Sequence, residues 1–358
     1  MDGKLGKEYL KNYIAKAKPV ISDYINSEIV KAADIGEIPE KLMKSFYEMV
    51  TDGKGIRGSL IVLAYQACGG KELDKILDLS TFIEIFHAGV LVQDDFMDRD
   101  SLRRGHTTIH KQFEAEAKRL NIKTDHLHYG NTLAACSGDT SFYISWQKLL
   151  ESQFDPKLLL KAGEIYCKYT IRLVHGQVLD LTSSGNKNIT EEEILKVLWT
   201  KSGEYTSLLP MMVGATLAGE TGDGKLKAIE NYARCFGWAF QIQDDYLGIF
   251  GEEEATGKPI TSDLREGKNT LFVLSLKRLG SKEHLEFLTQ TLGNKNVTKA
   301  DALKLREILT ESGAKDEVIK KGWSYVEEGK KYINAITNDQ NIRDIFKSLL
   351  VFMMERTK

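Results

Sequence analysis

The sequence predicts an all-α fold built as one large domain, residues 1–358. Apolar residues recur at three- and four-residue steps along nearly the whole chain, and the alternation expected of strands is missing. Only five prolines fall in 358 residues, so long helices are seldom interrupted. No linker or shift in composition divides the chain. A hydrophobic fraction of 42% is enough for a large core. The net charge of -2 gives no general attraction to nucleic acid or to an anionic membrane.

Taken in order, residues 5–32 put Leu10, Tyr13, Ile14, Ala17, Ile21, Tyr24 and Ile25 at helical spacing, and residues 40–50 do so with Leu42, Phe46 and Met49. Asp52 to Gly58 is a turn-rich insert, followed by an apolar helix over 60–68. Residues 73–98 are apolar on most faces, which predicts a buried helix. Residues 114–125 are polar and read as a surface helix end running into a loop. Further helices are expected over 128–153, 156–181, 190–200, 204–219 and 224–250. Thr190 with Glu193 has the pattern of a capping box. Gly251 to Asn269 is rich in glycine and charge and reads as a loop. Helices resume over 270–280, 283–292, 299–312, 315–335 and 340–356. The apolar helix over 204–219 is a candidate surface for a second copy of the chain.

The longest uncharged run, Tyr205 to Gly219, falls short of the roughly 20 apolar residues of a membrane span. The N-terminus has no apolar signal core. Cys68, Cys136, Cys167 and Cys235 are scattered, with no C-x-x-C pair, and fit reduced thiols. These features lead to an expectation of a cytoplasmic protein without a membrane span.

The chemistry concentrates in two acidic runs. Asp94, Asp95 and Asp98 follow an apolar helix and precede Arg103 and Arg104. A helix returns to nearly the same face after four residues, so Asp94 and Asp98 project together. Unpaired carboxylates at that spacing repel, and a hard divalent cation between them removes the conflict. Phe240 to Asp245 repeats the pattern, with a glutamine before Asp244 and Asp245. About 150 residues separate the two runs, so two helices of one bundle can bring them face to face. Lys54 and Arg57 sit among glycines that permit close approach to an anion, although the P-loop spacing is absent. Lys201, Lys258 and Lys268 add further cations. Together these residues fit two polyphosphate groups, one clamped through metal and one held by cations alone.

On those motifs the chain resembles the trans-isoprenyl diphosphate synthases, prenyltransferases that extend an allylic diphosphate with isopentenyl diphosphate. Gly53-Lys-Gly-Ile-Arg57, Asp94 to Asp98 with Arg103-Arg-Gly105, Gly176 to Asp180, Lys201-Ser202, Phe240-Gln241 and Asp244-Asp245 occur in the family's order. The texture is most like archaeal short-chain enzymes. The resemblance implies an isoprenoid-synthase helical bundle around a central cavity and a homodimer. It implies Mg2+ on Asp94, Asp98, Asp180 and Asp244, with Asp95 and Asp245 in support. Arg103, Lys201, Lys258 and Lys268 then face the allylic diphosphate (dimethylallyl, geranyl or farnesyl). Lys54, Arg57, His87 and Arg104 hold isopentenyl diphosphate, Ser202 stands where threonine is common, and Gln241 lies near the developing cation. One departure is Gly248, where many relatives carry a third aspartate.

Product length is expected to follow from the helix before Asp94, since residues four and five positions earlier lie about one turn below it. These are Val90 and Gly89, small enough to leave the floor open, with Phe86 as the next stop. Geranylgeranyl diphosphate is therefore the expected main product, with farnesylgeranyl, hexaprenyl or farnesyl diphosphate as alternatives. Three other classes compete. A di-iron carboxylate bundle is suggested by Glu84-x-x-His87 but needs a second such pair, which the chain does not have. A non-catalytic subunit would lose aspartates, and a terpene cyclase would not need Lys54, Arg57 and Arg104.

Overall fold

The apolar stripes become helices at the places their spacing marks, and they pack into an all-α bundle. The structure is a computed structural model describing residues 2–183, 186, 188–252 and 259–357. Its first half comprises α1 (Lys4–Ile35), α2 (Glu37–Thr51), α3 (Ile56–Ala67), α4 (Leu73–Met97), α5 (Ile109–Arg119), α6 (His126–Leu150) and α7 (Pro156–Ser183). The second half begins with α8 (Glu191–Val197), a π-helical segment (Leu198–Leu208), α9 (Leu209–Leu217) and α10 (Asp223–Phe250). It closes with α11 (Ser262–Glu266), α12 (Leu271–Leu279), α13 (Lys282–Thr291), α14 (Lys299–Glu311), α15 (Ala314–Lys330), α16 (Ile333–Ile336) and α17 (Gln340–Glu355).

The helices with the two acidic runs are anchored in different cores. Helix α4 packs one side through Leu79, Phe82 and Ile83 and another through Ile85, Ala88 and Val92. Helix α10 buries Ile229, Tyr232, Phe236 and Ile242 against the C-terminal helices. Between α4, α7, the π segment and α10 lies a cavity of about 1570 Å³.

Several local features depart from the expected pattern. The helices expected over 190–200 and 204–219 form one continuous run, because the π segment joins them. The capping box at Thr190 is present. Close backbone packing holds the wide segment in place: a Cβ on Gly176 would lie 2.4 Å from the Lys201 amide nitrogen, and one on Gly237 would lie 3.0 Å from Gly203 Cα. Helix α5 starts earlier than the polar stretch suggested, on buried Ile109 and Phe113. Short helix α11 occupies part of the expected loop.

A two-stranded hairpin pairs Leu102–Arg103 with His106–Thr107, which period-2 patterning cannot reveal at that length. Its tip residues, Arg104 and Gly105, both have positive φ (53° and 82°), the geometry of a type I′ turn.

The helix over 204–219 is no surface for a second copy. Leu209, Met211 and Val213 are fully buried within the chain, because α9 lies between α3 and α7. The exposed apolar side chains of α7 include Ile171, Val174, Val178 and Leu181, and these four line the cavity. Helix α4 alone among the described helices is long and apolar enough to cross a membrane by composition, yet it is mostly buried and carries Asp94 and Asp95.

Gly176→Ala is expected to lower stability by about 1–3 kcal/mol, since the added methyl meets backbone that cannot step aside. Urea denaturation of the two proteins measures this.

Candidate active site

Two carboxylate-bearing helix ends meet at the polar end of the cavity, and cationic side chains lie between them. On the α4 side, Arg103 Nε donates to Asp95 Oδ1 at 2.7 Å, and Nη2 lies 3.5 Å from Asp94 Oδ2 and 3.7 Å from Asp100 Oδ2. The type I′ turn delivers this guanidinium back over its own helix end. From the π segment, Lys201 Nζ donates to Asp180 Oδ2 of α7 at 2.5 Å and sits 3.7 Å from Asp94 Oδ1. Lys268 Nζ lies 3.4 Å from Asp98 Oδ2 and 3.5 Å from Asp263 Oδ1. Burial opposes the charge on both lysines, but the surrounding aspartates hold each ammonium above its ordinary pKa.

On the α10 side, Gln241 Nε2 donates to Asp245 Oδ1 at 3.2 Å. Arg356, just beyond α17, donates from Nη2 to Asp244 Oδ1 at 3.0 Å, and its guanidinium lies 4.2 Å from the centre of the Phe240 ring. Burial first, then the charge of Asp263, pushes the Asp245 carboxyl well above the usual carboxylate range.

Beside this end, a second group of cations lines the cavity from α3 and the hairpin. Gly55, with φ 67°, turns the chain into α3 and sets Lys54 and Arg57 at the cavity wall. Arg57 Nη2 donates to Thr206 Oγ1 at 2.8 Å, and its guanidinium lies over the Tyr205 ring at 4.4 Å. Arg104 Nη1 donates to the Met49 carbonyl at 3.3 Å. His87 Nδ1 is 3.4 Å from the Tyr205 hydroxyl, and burial together with Arg57, Arg104, Arg103 and Lys54 holds the imidazole well below its ordinary pKa. The ring is therefore neutral, and it supplies one donor and one acceptor.

The structure thus brings together Lys54, Arg57, His87, Asp94, Arg103, Arg104, Asp180, Lys201, Ser202, Gln241, Asp244, Asp245 and Lys268 on the wall of one cavity. Asp95 and Asp98 stand just behind them, paired with Arg103 and Lys268. Lys258 lies outside the described residues. Of the three chain-length residues, Phe86 and Val90 line the cavity and Gly89 does not. A Cβ on Gly89 would collide with Ser141 Oγ of α6, so its absence allows close packing of α4 on α6. Five residues along a helix rotate the direction of Gly89 about 140° from that of Asp94.

The donor set can hold a divalent metal. The carboxylates are oxygen donors of the kind that hard cations prefer, and Asp245 Oδ2 is buried without a hydrogen-bond partner. Among the described residues, no three of these side chains already converge on one point as a metal site. Lysine and arginine heads separate them.

Some working residues carried no readable signal. Glu84 is 4% exposed and accepts from the Gly58 amide at 2.7 Å, so it braces the start of α3 and is turned away from any Glu-x-x-His metal site. Burial raises its pKa, against the pull of the Gly58 amide, Arg57 and Arg104. Arg356 reaches the site from the far end of the chain, and Tyr205 and Thr206 shape the Arg57 head. At the other end of the cavity, Phe86 packs 5.1 Å from Phe142 and 5.3 Å from Tyr166, and Trp146 stacks on Tyr166 at 5.5 Å.

Residues 39–309 match the Polyprenyl synthetase family. The geranylgeranyl diphosphate synthase of Methanosarcina mazei is 31% identical over 299 residues, 83% of this chain and 85% of its own. The geranylfarnesyl diphosphate synthase of Aeropyrum pernix is 27% identical, covering 89% of this chain and 96% of its own. Among solved structures, a geranylgeranyl pyrophosphate synthase from Corynebacterium glutamicum, complexed with isoprenyl diphosphate and magnesium, superposes with a TM-score of 0.91 at 26% identity. That likeness covers 97% of this chain and 99% of the other.

Glu84→Ala is expected to lower stability by about 1–3 kcal/mol by stranding the Gly58 amide, while Glu84→Gln keeps the acceptor and stays close to the parent. Denaturant titration separates the two. Because folded His87 binds its proton less readily than free imidazole, its contribution to stability is complete above about pH 6.5 and declines as pH falls below that value. The His87 ring resonances are expected not to titrate between about pH 6 and 8.

Proposed function

The chain belongs to the polyprenyl synthetase family, and on that premise we propose that it makes geranylgeranyl diphosphate by adding isopentenyl diphosphate to an allylic diphosphate. The observation that carries this reading is the polarity of the cavity. One end is set with carboxylates and cations, and the other is walled by apolar and aromatic side chains. That shape fits an amphiphile with a charged head and a hydrocarbon tail. The reading takes residues 1–358 as one catalytic unit.

In this account Arg103, Lys201 and Lys268, with Lys258, bind the allylic diphosphate on the side where Asp94, Asp98, Asp180 and Asp244 would hold Mg2+. Bound magnesium would add Lewis-acid stabilisation of the leaving diphosphate. Lys54, Arg57, Arg104 and neutral His87 bind isopentenyl diphosphate beside it. The allylic C–O bond breaks as charge grows on the diphosphate oxygens, which the fixed cations stabilise. The isopentenyl alkene then forms the new C–C bond, and a proton leaves to the released pyrophosphate. Gln241 and the apolar wall keep water from the cation.

The aromatic group of Phe86, Phe142, Trp146 and Tyr166 is the floor against which the tail stops growing. The chain acts as a cytoplasmic homodimer in this reading.

Incubation with labelled isopentenyl diphosphate and farnesyl diphosphate, followed by sizing of the products, tests the proposal. Geranylgeranyl diphosphate is expected as the main product, and farnesyl diphosphate alone would contradict the open floor. Phe86→Ala is expected to shift product to longer chains, and unchanged length would remove Phe86 as the stop.

A further inference from the structure

The π segment (Leu198–Leu208) serves both groups of cations in the cavity. Lys201 meets Asp94 and Asp180 on one side. Tyr205 and Thr206 hold the Arg57 guanidinium on the other, and the Tyr205 hydroxyl lies beside His87. Lys201, Tyr205 and Thr206 all line the cavity, whereas Glu204, which lies between them in the sequence, does not. The wide backbone accounts for that arrangement. Hydrogen bonds from i to i+5 bring residues four and five apart to one face, so positions 201, 205 and 206 fall together. In an α-helix five residues rotate the direction about 140°, so Thr206 would leave the wall that Lys201 occupies. Glu204, three residues from Lys201, would then turn toward that wall.

So uncommon a register needs an anchor, and Glu204 supplies one. It is buried, and both of its carboxylate oxygens are taken by a single side chain of α7. Arg172 donates from Nε to Oε2 at 2.6 Å and from Nη2 to Oε1 at 2.7 Å. A two-pronged arginine–carboxylate pair fixes orientation as well as distance. The pair also opens a line of contact along α7. Arg172, Gly176 and Asp180, one turn apart on one face, meet Glu204, the Lys201 backbone and the Lys201 ammonium in turn. A slip of the segment into the α register would pull Glu204 off Arg172 and leave a buried carboxylate unpaired, which is a costly state.

We propose that Arg172 and Glu204 are positioning residues whose ion pair locks this segment in its π register, and so holds the cations for both diphosphates in place at once. The inference rests on the prenyltransferase reading of the cavity. A pair that served stability alone would change only the number of folded molecules, which lowers apparent kcat and leaves KM as it was. A lost register instead moves Lys201 away from one diphosphate and Thr206 away from Arg57 at the other, and KM rises for both substrates.

The test is steady-state kinetics on the full chain with Mg2+, varying isopentenyl diphosphate and farnesyl diphosphate in turn, with a melting temperature for each variant. A parent protein that does not condense the two would overturn the prenyltransferase reading and this inference with it. With an active parent, the variants decide the inference alone. Arg172→Lys keeps the charge and gives up the fork, and it is expected to raise both KM values about fivefold. Arg172→Met combined with Glu204→Met fills the same space with apolar side chains. It is expected to melt close to the parent while both KM values rise about tenfold. Arg172→Glu combined with Glu204→Arg exchanges the charges and restores a two-pronged pair, and both KM values are expected to return to within about threefold of the parent. Unchanged KM values in the double methionine variant, or a rise for one substrate alone, would overturn the proposal. So would a charge-exchanged variant that melts like the parent yet keeps the KM values of the double methionine variant.

Discussion

The structure depends on charge balance at one end of its cavity. Carboxylates from α4, α7, α10 and α11 converge there, and no arrangement of them alone is tolerable in a partly buried space. Lys201 joins Asp94 to Asp180, and Lys268 joins Asp98 to Asp263. Arg103 lies among Asp94, Asp95 and Asp100, and Arg356 answers Asp244. These bridges tie together helices whose apolar faces belong to separate cores. A site of this kind has two uses for its cations. They hold the acidic groups apart in the protein alone, and they are placed to receive phosphate oxygens when a diphosphate enters.

Local backbone devices aim those cations. The π segment widens the helix where Lys201 projects, and glycines at 176, 203 and 237 let its neighbours pack against the wider backbone. The left-handed pair Arg104 and Gly105 folds the hairpin back so that Arg103 meets Asp95 while Arg104 turns toward α2. Gly55 does the same for Lys54 and Arg57, and Glu84 fixes the turn by taking the Gly58 amide. Each device spends local conformational freedom to fix a cation at the cavity wall.

The sequence made α4 and α10 readable because periodicity and the repeated Gln-Asp-Asp both mark helix ends carrying carboxylates. The helix spans over 73–97 and 223–250 follow from that pattern alone. Residues that act across the fold left no such trace. Arg356 meets Asp244 from a helix more than a hundred positions away, and Asp263 reaches Gly248 from what reads as loop. Neither contact has a local spacing to betray it. Gly89 was legible as small but not as facing α6, since helical angle decides which side a residue serves. The run over 204–219 is apolar for the interior of one chain, a distinction that hydropathy cannot draw.

The central claim is that this polar end holds two diphosphates and, with magnesium, drives their condensation. Its most direct test follows isopentenyl diphosphate consumption and pyrophosphate release together, with farnesyl diphosphate as the partner substrate. The account predicts about one pyrophosphate released per isopentenyl unit consumed, dependent on Mg2+ and abolished by chelation. Isopentenyl diphosphate left intact, or consumed equally well after chelation, would contradict it.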